Sequence, residues 1–261
     1  MEYNFLSKNV LLKTVEETES NGVFEISGLY TGYGVTIGNA FRRILLSSLP
    51  GAAITQVKIK GVKHEFSTID GVLEDVIDIT LNLKKIKFKF FADEPQVLTL
   101  KAKGQGEVYA KEIKINSEVE LMTPDVLIAT LTSKAAELDM EITVEKGLGY
   151  SPAESRRLEK LPIGSIAIDA VFTPVTMVNY EVESMRVGER TDFNKLILMI
   201  ETDGTITPSS ALHKASNILK DHIEVISGID IKSFQIEKEG TPKSKKEEKP
   251  TIKTKKTTKK K

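Results

Sequence analysis

The stretch TGYGVTIGNAFRRILLSSLPG, residues 31–51, constrains this chain more than any other. Glycines at Gly32, Gly34 and Gly38 open onto an apolar-periodic segment that runs into Pro50-Gly51. Proline cannot continue a helix, so the pattern predicts a helix over 36–49. At 100° per residue, Ala40, Ile44, Ile37, Ser48, Phe41 and Leu45 fall within an arc of about 140°, a core-facing stripe. Opposite them lie Arg42, Leu46, Asn39 and Arg43. A leucine between arginines, where a solvated face would carry Glu, Lys or Gln, reads as a protein–protein surface. Gly38 within the first turn costs about 1 kcal/mol relative to alanine, so something is expected to approach it closely.

The same glycines come within one residue of the G-x-G-x-x-G loop that cradles a dinucleotide. Three residues separate Gly34 from Gly38 where that fingerprint has two, and twenty positions on stand Lys58, Ile59 and Lys60, not the acidic ribose ligand. The next strand, 53–59, alternates Ala53, Thr55, Val57 and Ile59 with Gln56, Lys58 and Lys60, whereas parallel-sheet strands are apolar throughout. No G-K-[ST] follows the glycines. A nucleotide-binding enzyme built on the Gly32–Gly38 loop is the weaker reading, and no cofactor is expected.

Along the rest of the chain, weak alternation at Val10 and Leu12, the turn Asn21-Gly22 and FEISG (24–28) suggest a hairpin or meander. A second helix is expected over 71–84, with Asp70 as N-cap. Ile79, Val72, Leu83, Val76, Leu73, Ile77 and Leu81 then span about 200°, as if buried on two sides, with Glu74, Asp75, Asp78 and Asn82 on a solvated remainder. Short strands follow near 86–90, 97–100, 107–110, 126–131, 140–144 and 165–170, separated by Gly, Pro, Asn and Asp. Ser155–Arg157 reads as a polar loop. Two longer strands, near 178–187 and 196–201, lead to a terminal helix over 208–226, with Thr207 as cap, Pro208 at its first position and Gly228 past its end. Its apolar stripe, Val225, Ile218, Ala211, His222, Ala215, Ile226, Leu219, Leu212 and Ile223, covers about 160°, wide enough for both an internal core and a second subunit. His222 within it reads as a hydrogen-bonded core or interface residue.

The expected class is therefore α+β with two subdomains. One, 1–51 with 173–235, is an antiparallel sheet carrying two amphipathic helices; the other, 52–172, is an inserted β-rich domain. The formal net charge is zero, but residues 241–261 hold ten lysines against two glutamates, leaving −8 on the remainder. This lysine-rich tail, 236–261, has too little apolar surface to offset ordering entropy and is expected to stay disordered. It suits nonspecific contact with DNA or another polyanion, or simply solubility. The acidic body speaks against a stand-alone DNA-binding protein.

Chemistry is hard to place. The chain has no cysteine and three histidines, His64, His213 and His222, without ligand spacing. It has no G-x-S-x-G elbow and no D-x-D pair for catalytic magnesium. No metal, cofactor or catalytic residue is expected. No run reaches the roughly 20 apolar residues of a membrane span and no signal peptide is evident, so the reading is cytoplasmic.

The stretch from Gly32 to Lys84 closely resembles the amino-terminal domain of the bacterial RNA polymerase alpha subunit. Supporting matches are GLGYSPA (147–153), PIGSIAIDAVFTPV (162–175) and NYEVESMRVGERTDFNKLILMIETDGTITPSSAL (179–212). The resemblance implies a dimerisation domain made from both chain ends, an inserted domain, and a noncatalytic scaffold. It implies a homodimer, one copy meeting the beta subunit and the other beta-prime, with magnesium and template held by those large subunits. Dimer-interface positions would be Ile37, Phe41, Ile44, Leu45, Leu212, Ala215, Ile218, Leu219, His222 and Ile226. Large-subunit contacts would include Arg42, with Arg43, Leu46, His64, Ser67, Asp75 and Lys84 on the beta side; Val175, Tyr180, Arg186 and Arg190 would lie in beta-prime-side segments. Family members continue into a promoter-binding domain where this sequence has its lysine tail, which puts promoter-element and activator contacts in doubt.

Overall fold

The computed structural model describes residues 9–157, 162 and 164–229. The lysine tail, and residues 230–235 of the expected dimerisation domain, lie outside them. Two antiparallel four-stranded sheets organise the chain. The first uses β1 (Leu11–Glu17), β2 (Asn21–Leu29), β13 (Val175–Val187) and β14 (Arg190–Thr202), ordered β1-β2-β14-β13. It therefore joins the two ends of the chain. Two helices pack on one of its faces: α1 (Tyr33–Ser47), which also contacts α4 (Pro208–Ser227). Phe24, Leu198, Ile200, Leu45, Leu49, Ala211, Leu212 and Ala215 make the core between them.

The second sheet, ordered β11-β3-β9-β5, is built from β3 (Pro50–Ile59), β5 (Gln96–Lys103), β9 (Glu137–Leu148) and β11 (Ser165–Ala167). β3 alternates as the sequence predicts, with Val57 and Ile59 buried and Lys58 exposed. The short pairs β4 (Phe88–Phe90) with β7 (Val119–Leu121), β6 (Gly106–Tyr109) with β8 (Leu127–Leu131), and β10 (Tyr150–Ser151) with β12 (Ala170–Val171) surround it. A separate and larger core, from Ile54 through Ile168, fills this part. The class is α+β with antiparallel sheets.

Several local expectations need correction. α1 begins at Tyr33, so Gly34 and Gly38 both lie inside it. The second helix, α2, spans only Val76–Leu83, and its N-cap is Asp75, whose side chain accepts from the Asp78 amide at 2.8 Å; Asp70 caps nothing. Residues 71–75 instead make turns in which Glu74 accepts from the Thr130 amide (2.6 Å) and hydroxyl (2.9 Å). Glu74 thus ties this segment to β8 and is not part of a solvated face. Nor is α2 buried on two sides: Val76, Ile79 and Leu83 are buried, whereas Leu73, Ile77 and Leu81 are exposed. Val72 and Leu73 lie before the helix begins, so the 200° stripe counts residues that are not on it. Ser155–Arg157 belongs to a short helix, α3 (Ala153–Arg157), not a loop.

Candidate assembly surfaces

The glycines of α1 fit it to the sheet. A methyl at Gly34 would lie 2.7 Å from Val182 Cγ1, and one at Gly38 would lie 2.7 Å from Tyr180 Cδ2 and 3.0 Å from Leu196 Cδ1. Side chains at these positions would hold the helix away from β13 and β14. Gly32, at φ 85°, supplies the left-handed turn into the helix, a conformation other residues adopt at a cost of roughly 1–2 kcal/mol. The loop positions a helix.

That seating divides the residues of α1. Leu45 is fully buried in the chain's own core, and Ile37, Phe41, Ile44 and Leu46 are half-buried against it. Arg42 donates from Nε to the Val178 carbonyl at 3.1 Å, pinning the helix to the edge strand β13. Arg43, one residue on, is exposed and has no side-chain partner among the described residues. The two arginines thus differ: one is an anchor, the other a free guanidinium.

α4 shows the same division lengthwise. Its first turns are sealed, with Ala211, Leu212 and Ala215 buried. Ile218 and Leu219 are half-buried. From 221 to 229 every residue is exposed, including Ile223, Val225 (81%) and Ile226 (70%). His222 is exposed too, its Nδ1 lying 2.7 Å from the Ile218 carbonyl. Leu45, Leu212 and Ala215 are thus buried within their own chain, while Ile218, Leu219, His222 and Ile226 keep exposed surface.

A further surface lies on the second sheet's side of the molecule. Phe66 (75% exposed), Ile77 and Leu81 border an open groove of 390 Å³ that Lys84, Glu154 and Asp169 also line. Lys84 is ion-paired to Asp169 at 2.9 Å. His64 Nδ1 and the Ser67 hydroxyl are 3.1 Å apart, forming a small turn beside Phe66. Phe66 escaped the sequence reading because an isolated phenylalanine between polar residues carries no periodicity. Leu81 and Ile77 were visible only as surplus width in a stripe.

At the tip of the β13–β14 hairpin, Arg190 is engaged within the chain. It binds the Asp192 carboxylate from Nε (3.0 Å) and NH2 (2.6 Å) and stacks over Tyr30 and Phe193 at 4.9 and 5.3 Å. Hydrogen bonds from Arg190, then from the Thr31 hydroxyl, lower the Asp192 carboxyl to about 2; Asp192 in turn raises Arg190. Arg186 is exposed and donates to the Gly188 carbonyl at 2.8 Å. Val175 is buried, and Tyr180 is half-buried against Gly38. Of Val175, Tyr180, Arg186 and Arg190, only Arg186 thus presents a largely unengaged side chain.

Among the described residues, no cluster of three or more His, Cys, Asp or Glu is placed to hold a metal ion, and no helix is long and apolar enough to cross a membrane. What the chain does offer is an apolar helix end, a free arginine on a seated helix and an aromatic-edged groove. Each could meet another protein. Sequence comparison identifies the family. A family model described as the RNA polymerase Rpb3/RpoA insert domain matches residues 57–173. The DNA-directed RNA polymerase subunit alpha of Symbiobacterium thermophilum is 49% identical over 221 residues, covering 85% of this chain and 70% of that protein. Its counterpart in Oceanobacillus iheyensis is 45% identical over 240 residues (90% and 76%) and that of Roseiflexus castenholzii 47% over 231 (88% and 71%). The chain belongs to the family of bacterial DNA-directed RNA polymerase alpha subunits.

Proposed function

We propose that this chain is the noncatalytic alpha subunit of a DNA-directed RNA polymerase, a nucleotidyltransferase complex of the cytoplasm. In this reading it pairs with a second copy, and the dimer recruits the beta and beta-prime subunits. Family membership supports the subunit role, and the domain division fits it: 1–51 with 173–235 for pairing, 52–172 as the insert. One observation carries the pairing. Ile223, Val225 and Ile226 stand exposed on a helix that, among the described residues, its own chain covers only at the other end. At roughly 25 cal/mol per Å² of apolar surface removed from water, that face is stabilised by meeting its own copy. Ile218, Leu219, His222 and Ile226 form the proposed seam, with Phe41 and Ile44 in the same cluster as Ile218 and Ile37 farther along α1.

The beta-side surface is proposed to be Arg43 and Leu46 on α1, together with the groove beside His64, Ser67, Asp75 and Lys84. Arg42 and Asp75 contribute by holding their helices. Arg186 and Arg190 at the tip of the β13–β14 hairpin, with Tyr180 and Val175 farther along β13, mark the beta-prime side. A guanidinium free of internal partners suits a carboxylate or backbone carbonyl on a partner, since it loses no existing bond on docking. The test is Arg43→Ala in the full chain co-expressed with the large subunits. The homodimer should keep its mass by light scattering, while co-purification of beta falls by about tenfold or more, as for an interface arginine worth at least 1.4 kcal/mol. Normal yield of beta with this variant refutes the assignment.

A further inference from the structure

The start of α1 has no cap of its own. Its N-cap residue is Gly32, which has no side chain, and the first amides of a helix lack intrahelical acceptors. The acceptor comes from the other end of the chain. Asn194 Oδ1, on β14, takes the Gly32 amide at 2.8 Å and the Gly34 amide at 3.4 Å. Because two N–H donors point at this atom, it must be the amide oxygen and not the nitrogen. Beside it the Thr31 hydroxyl lies 2.8 Å from Asp192 Oδ2 and 2.6 Å from the Asp192 carbonyl, to either of which it can donate. Arg190 holds that carboxylate from the far side while resting on Tyr30. Tyr30 in turn packs edge-on to Phe193 at 5.8 Å. Residues 30–34 are thus matched to residues 190–194 by hydrogen bonds and ring contacts.

We propose that Asn194 is a positioning residue, a helix cap supplied across the sheet, which with the Thr31–Asp192 bond fixes the pose of α1 from which Arg43 is presented to a large subunit. The glycine contacts at 34 and 38 set how near the helix lies to the sheet. They do not fix where its first turn starts or keep that turn closed. The cap does both, working with the Arg42–Val178 bond that pins the helix farther along. Arg43 lies nine residues beyond Gly34, about 13 Å along the helix, so a tilt of a few degrees at the cap moves its guanidinium by roughly an ångström. Hydrogen-bond strength falls steeply over that displacement. The inference rests on the reading of the Arg43 face given above.

The experiment compares Asn194→Ala, Asn194→Asp and Arg43→Ala in the full chain, alone and co-expressed with the large subunits. For Asn194→Ala, amide exchange at Gly32 and Gly34 should rise roughly fivefold, as for loss of one cap. Beta co-purification should fall by a similar factor while the homodimer mass is unchanged. Asn194→Asp should restore both, because a carboxylate accepts the same amides and suits a helix N-terminus. Unchanged amide protection in Asn194→Ala overturns the capping. Loosened amides with undiminished beta yield overturn the positioning. An equal loss of beta in the alanine and aspartate variants also overturns it, since that is the mark of a merely structural site. If Arg43→Ala recruits beta normally, the reading of the face fails and takes the recruitment claim with it, while the amide measurement still decides the cap.

Discussion

Gly38 shows how a single hydrogen atom in place of a methyl can decide the placement of a helix. Replacing it with alanine gains about 1 kcal/mol of helix propensity. The new methyl, however, lies 2.7 Å from the Tyr180 ring and 3.0 Å from the Leu196 side chain, which is fully buried. Forced overpacking costs about 1–3 kcal/mol. The contact should win, leaving Gly38→Ala less stable by on the order of 1 kcal/mol and its melting midpoint lower by about 2–4 °C. In a Tyr180→Ala background the same change should cost less, because its nearest neighbour has gone. A stabilised Gly38→Ala chain means that the helix is not seated as described. The sequence anticipated a close approach at this glycine but not what approaches. Tyr180 and Leu196 lie about 140 and 160 residues away, and no local pattern links them to residue 38. Asn194 escaped notice for the same reason: a cap is recognisable in sequence when it adjoins its helix, and this one does not.

At the scale of elements, legibility follows periodicity. α1 and α4 were readable because their apolar stripes repeat at the helical period and proline or glycine marks their ends. β9 has twelve residues where the apolar run marks five, because Glu137 and Asp139 before the run and Lys146 and Gly147 after it carry no apolar signal; pairing with β5 and β3 carries the strand on at either end. The exposed end of α4 was legible only as a stripe too wide for one core. Its lengthwise division makes the dimer testable. Ile218 packs against the internal core, so a charge there confuses folding with pairing. Ile226 is 70% exposed and touches that core nowhere. Ile226→Glu should therefore leave the melting behaviour of the isolated chain nearly unchanged, surface substitutions usually shifting stability by no more than about 0.5 kcal/mol. In light scattering it should shift the dimer toward monomer. A dimer mass unchanged at micromolar concentration removes the end of α4 from the interface.

Across the whole molecule, the chain passes between its two cores twice, and the crossings lie side by side. A methyl on Gly51 would fall 1.9 Å from the Phe172 carbonyl oxygen, and the Phe172 ring covers Gly147. Ala53, Ala170 and Phe172 form a small cluster of their own, apart from both main cores. The Thr173 hydroxyl donates to the Leu46 carbonyl at 3.1 Å, and Lys87 reaches Asp203 at 3.9 Å. Elsewhere the two parts face each other across an open groove of 520 Å³, with Phe88 and Phe90 on one wall and Ile206 and Lys214 on the other. The relative orientation of the α1 face and the Phe66 groove, which one partner would have to meet together, therefore depends on a narrow joint with one aromatic ring at its centre. Phe172→Ala removes that ring, at a cost of about 3–5 kcal/mol for a buried phenylalanine. Because the ring belongs to neither main core, the loss should appear as broken coupling more than as damage to either sheet. Calorimetry should resolve two transitions in the variant where the parent shows one, and beta recruitment should weaken although Arg43 and its helix are intact. A single transition moved bodily downward means that the two cores are joined by more than this cluster, and that the joint does not set the geometry a partner sees.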